Sequence, residues 1–64
     1  MEYREVRELV RIRYELRSLA RGAGEVAAPL LERMRTLAER DAAESAAVQT
    51  ELRRWQSVFC LETT

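Results

Sequence analysis

Apolar residues early in the chain recur at Leu9, Ile12, Leu16 and Leu19, in steps of three, four and three, the spacing that lines one face of an α-helix. A second series, Leu31, Met34, Ala38, Ser45, Val48, Leu52, Trp55 and Phe59, keeps helical spacing through the second half, flanked by Leu30 and Leu37. No useful stretch alternates with period two, so the pattern predicts an all-α chain without strands. Glu2 and Glu5 near one end and Arg17 and Arg21 near the other suit the dipole of a helix over about 2–21. Gly22-Ala23-Gly24 then stops it, with Gly22 offering the left-handed position that follows a last turn. Pro29 has the fixed φ of a first helical turn, and neither Gly nor Pro occurs between it and Leu61. The spacing therefore predicts a turn over 22–28 and a long second helix over about 29–61, in a single domain.

Asp41 interrupts the second series, because it falls at the centre of the apolar stripe. Either it is a polar layer in a continuous helix, or it caps a fresh helix, with Glu44 three residues on completing a capping box. Nothing else breaks the run, which favours the continuous helix. The expected architecture is then an antiparallel helical hairpin with arms of about 30 Å and about 50 Å. Beyond about residue 47 the long arm overhangs the short one and carries Leu52, Trp55, Val58, Phe59, Cys60 and Leu61. Large apolar side chains gain about 1.5–3 kcal/mol each on burial, and a lone hairpin offers the overhang nothing to bury against. Helix 1 has a second apolar line of its own, Tyr3, Val6, Val10 and Tyr14. These four residues, together with Val48, Leu52, Trp55, Val58, Phe59 and Leu61, are the expected interface. A second copy of the chain is its simplest occupant, giving a homodimeric four-helix bundle or coiled-coil-like assembly.

Composition narrows the chemistry. The chain has 64 residues, 34% of them charged, with 11 basic groups that are all Arg, 11 acidic groups and no His. A core of this size rarely yields more than about 3–5 kcal/mol unaided, which again calls for a partner. The one cysteine, Cys60, excludes an internal disulfide. One Cys without His supplies no usual zinc set, and no cofactor is expected. No apolar run is long enough to predict a membrane span. The opening Met-Glu-Tyr-Arg-Glu does not read as a signal peptide, so the expected location is cytoplasmic. Lack of His also removes the commonest acid–base group and leaves Cys60 without an activating base, so no catalytic residue is proposed.

The expected function is a small non-enzymatic protein-interaction module, an adaptor, assembly factor or regulator of a larger protein, acting as a homo-oligomer. Trp55 and Phe59 are the expected anchors, since aromatic residues dominate interface energetics. Charge supports a second reading. Residues 1–21 hold six Arg against four Glu, and residues 25–51 hold three Arg against six acids. Arg13, Arg17 and Arg21 are spaced to line one edge of helix 1, where like charges repel unless something anionic compensates. In architecture, a dimerising two-helix chain of this length is similar to the Rop type of plasmid RNA-binding regulator. That resemblance implies nucleic acid on Arg13, Arg17 and Arg21. Zero net charge and a pI near 6.3 stand against it, because nucleic-acid binders usually carry a strongly basic face.

Overall fold

The structure, a computed structural model, describes residues 2–61. It contains three helices, α1 (Tyr3–Ser18), α2 (Gly24–Ala38) and α3 (Ala42–Val58), and no strand among the described residues. The all-α expectation holds, and the single long second helix does not: the chain breaks at 39–41 and α3 folds back along α2. Glu8 of α1 pairs with Arg33 of α2 and Glu5 with Arg40 beyond it, so α1 and α2 run in opposite senses. Gly24 at the start of α2 lies against Phe59 and Leu61 after the end of α3, which makes the second pair antiparallel too. Helix α2 packs against both neighbours, whereas no Cα of α1 comes within 8 Å of one in α3.

Asp41 causes the break. Its backbone is extended (φ −134°, ψ 108°), and its Oδ1 accepts the N–H groups of Ala43 at 3.0 Å and Glu44 at 3.4 Å. Two of the donors that a helix start leaves unsatisfied are thereby met. The reciprocal arm of a capping box is not used, since the Asp41 N–H donates to the Ala38 carbonyl at 3.0 Å. Those backbone donors hold the Asp41 carboxyl below its usual range. A carboxylate with a depressed folded-state pKa stabilises fully above its unfolded value, near 4, and the gain is lost as pH falls through the lower folded value. We therefore expect a melting temperature that is level from about pH 5 to 7 and falls below about pH 4. Asp41→Ala should lower it by about 4–8 °C at pH 7, while Asp41→Asn, which still caps, should keep most of the stability and show a smaller acid-side loss. An unchanged melting temperature in Asp41→Ala would show that the cap does not hold the break.

The other boundaries shift for local reasons. Helix α1 ends at Ser18, whose hydroxyl donates to the Glu15 carbonyl, and Leu19 is already extended (φ −80°, ψ 143°). Gly22 is not left-handed, as no glycine has positive φ. Helix α2 begins at Gly24 rather than at Pro29, which lies inside it. The left-handed position falls instead on Cys60 (φ 57°). Around it the Leu61 N–H donates to the Gln56 carbonyl at 2.8 Å and the Cys60 N–H to that of Ser57 at 3.3 Å, the paired bonds of a Schellman end. That turn lays Leu61 over Gly24, where an added Cβ would sit 3.2 Å from both the Leu61 side chain and the Phe59 carbonyl. Gly24 thus serves close approach and not its φ, since a side chain there would have to push Leu61 and the Phe59 carbonyl back by a few tenths of an ångström.

One core joins the three helices. Leu9, Ile12 and Leu16 enter it from α1, Ala27, Leu31, Met34, Leu37 and Ala38 from α2, and Val48, Leu52 and Phe59 from α3 and its end. The expected overhang does not exist. Val48, Leu52 and Phe59 are buried by the chain's own hairpins, so their burial calls for no second copy.

Candidate functional site

Helix α1 has two apolar faces because two series with helical spacing run through it. The Leu9, Ile12 and Leu16 face turns into the core. On the opposite side Tyr3, Val6, Val10 and Tyr14 remain 74%, 44%, 48% and 71% exposed. Val26 and Val58 are also exposed, each alone on another helix. The outer face is therefore the one contiguous apolar stripe among the described residues. The Arg7 guanidinium lies over the Tyr3 ring, 5.8 Å from its centroid, a cation–π arrangement.

The charges of α1 are segregated around this stripe. Its acids turn towards α2. Glu8 takes a forked pair of hydrogen bonds from Arg33, one of them Nη2 to Oε1 at 3.0 Å, and that donor pair lowers the Glu8 carboxyl pKa. Glu5 faces Arg40 Nη1 at 4.0 Å, with its Oε2 buried and without a hydrogen bond. Arg4, Arg7, Arg11 and Arg17 are exposed and form no ion pair among the described residues. An open groove of about 590 Å³ beside the stripe is lined by Arg4, Arg7 and Arg11 with Glu8, Glu15 and Arg33.

On the other flank α1 meets α3 through side chains alone. Arg13 forks onto Glu51, with Nε at 3.0 and 3.1 Å and Nη2 at 2.9 Å from the carboxylate oxygens. The Trp55 indole N–H donates to the same carboxylate at 3.2 Å, and its ring stacks on Phe59 with centroids 6.0 Å apart. Burial alone would raise the Glu51 pKa, but the Arg13 and Trp55 hydrogen bonds outweigh it and hold the carboxyl below its usual range. A groove of about 490 Å³ follows this seam, lined by Arg13, Arg17, Thr50, Glu51, Arg54 and Trp55.

The residues singled out from sequence thus divide. Tyr3, Val6, Val10 and Tyr14 form one exposed face. Val48, Leu52 and Phe59 lie in the core, Trp55 and Leu61 are half-buried against it, and Val58 is isolated at the surface. Arg13 and Arg17 reach one groove, but Arg21 lies past the end of α1, so the expected row of three does not form. Glu51 and Arg54 were not anticipated. Their signal in the sequence is the four-residue step from Glu51 to Trp55, which sets a carboxylate beside an indole on one helix face. Among the described residues no cluster of potential metal ligands occurs, and no helix is long and apolar enough to cross a membrane. The chain matches none of the family models, curated proteins or solved structures with which it was compared.

Proposed function

We propose that this chain is a non-enzymatic protein-interaction module that docks a partner along the outer face of α1. The observation that carries this reading is the exposed line of Tyr3, Val6, Val10 and Tyr14 on a domain whose other exposed large apolar groups are the single residues Val26 on α2 and Val58 on α3. Anchors at successive turns of one helix face are how an amphipathic helix engages a groove or completes a bundle. Aromatic ends and a valine centre supply area at low entropic cost. Nucleic acid is the weaker reading: Arg13 is committed to Glu51 and Arg33 to Glu8, and the centre of the face is apolar.

Photo-crosslinking in the cell of origin tests the proposal. A photoreactive phenylalanine at position 14 should form a discrete adduct that protease degrades and nuclease does not. The adduct should vanish in a Val6→Asp/Val10→Asp variant whose circular dichroism is unchanged. A nuclease-sensitive adduct, or one no stronger than from the same probe at Gln49 on α3, would overturn it.

A further inference from the structure

The arginines around the stripe specify its occupant. Resting on the reading of this face as a docking surface, we infer that the partner is an acidic amphipathic helix about three turns long, lying along α1 with carboxylates over the arginines. From Tyr3 to Tyr14 the face covers 11 helical steps, about 17 Å, so three turns of a partner fill it. Arg4, Arg7 and Arg11 run along one side at steps of three and four, and Arg17, one turn beyond Arg13 and Tyr14, closes the C-terminal end. None of these four forms an ion pair among the described residues, although Arg17 adds to the positive field at Glu51, and Glu5 and Glu8 are turned to arginines on the α2 side. Glu8 and Glu15 line the same groove as Arg4, Arg7, Arg11 and Arg33, so guanidinium groups outnumber carboxylates there. Unpaired guanidinium groups on the rim of an apolar strip favour carboxylates, which they take as forked, charge-assisted bonds.

A second copy fits this pattern badly. Antiparallel two-fold packing sets the Arg4, Arg7 and Arg11 flank against itself, and parallel packing sets it against Arg17 and an Arg13 already paired with Glu51. Neither geometry offers that flank a row of free carboxylates. A nucleic acid would satisfy the arginines and leave Val6 and Val10 without an apolar partner. An acidic amphipathic helix satisfies both.

The test uses the intact protein and a fluorescein-labelled 18-residue peptide, stapled to hold its helix, with Leu at the a and d positions and Glu flanking them. Fluorescence anisotropy should show it binding at least tenfold more tightly than the same peptide with Lys for Glu. Raising NaCl from about 50 to about 500 mM should weaken it severalfold. Arg7→Glu/Arg11→Glu should weaken it at least tenfold and Val10→Asp comparably, with helicity retained in both. Equal binding of the two peptides, or no binding of the acidic one, overturns the inference and leaves the docking reading to the crosslinking result. Tighter binding of a 20-nucleotide uridine RNA, or a sedimentation dimer abolished by Val10→Asp, overturns it in favour of those occupants.

Discussion

Replacing Met34 with alanine should leave the chain largely unfolded at room temperature. Met34 is fully buried on α2, the helix that packs against both others while α1 and α3 keep their backbones apart. Truncating a buried methionine to alanine costs about 2–5 kcal/mol, the spread reflecting how far the site collapses. A domain this small has about 3–5 kcal/mol in total, so the loss approaches the whole. Helical circular dichroism against urea should show the midpoint falling to near zero denaturant. Met34→Leu, which nearly conserves volume, should cost less than about 1.5 kcal/mol. Tyr14→Ser, at an exposed position, should leave the midpoint almost unchanged. A cooperative, well-folded Met34→Ala variant would show that α2 does not hold the other two helices together.

That central position of α2 explains what could and could not be read from the sequence. The inward faces were legible: Leu9, Ile12 and Leu16, then Leu31, Met34, Val48 and Leu52, lie in the core as their spacing indicates. The helical period survives the break at Asp41, since α2 and α3 both turn their apolar sides to one core. For the same reason periodicity could not reveal the break. Only the hydrogen bonds made by the Asp41 side chain and the φ at that position separate a capped start from a polar layer, and neither leaves a mark on the period. Reading a continuous helix moved Phe59 and Leu52 onto an overhang, and the case for a dimer rested on that overhang together with the second apolar line of helix 1.

The candidate site divides in the same way. The outer face of α1 was legible because it depends on one helix, whose second apolar series cannot face the same core as the first. The Arg13–Glu51 fork was not, because it joins residues 38 apart in sequence and exists only once α3 returns beside α1. This matters for function. Arg13 was expected to be available to an anion, and the fold pairs it with Glu51, so that on α1 Arg4, Arg7, Arg11 and Arg17 are the arginines without an ion pair among the described residues.

Pro29→Ala should stabilise the protein by about 2 kcal/mol, raising the melting temperature by roughly 8–16 °C. If Pro29 began a helix, its missing N–H would cost nothing and its fixed φ would help, so alanine there would be neutral or slightly harmful. In the structure it is the sixth residue of α2. Its ring deprives the Glu25 carbonyl of the usual i to i−4 donor and crowds it, at about 3 kcal/mol in a helix interior. Up to about 1 kcal/mol is offset, because proline also restricts the unfolded chain. The turn before Pro29 forms despite a poor start, since Ala23 at its cap makes no side-chain hydrogen bond. What holds it is packing: Ala27 is fully buried, and Gly24 admits the Phe59 carbonyl and Leu61. The α3 end therefore imposes helix on a segment whose local sequence resists it, and removing the proline should let that segment stand with less help. Thermal melts of Pro29→Ala and of Pro29→Ala/Leu61→Ala separate the causes. The proline substitution should recover much of what truncating Leu61 loses, and a Pro29→Ala variant no more stable than the natural chain would place the start of α2 back at Pro29.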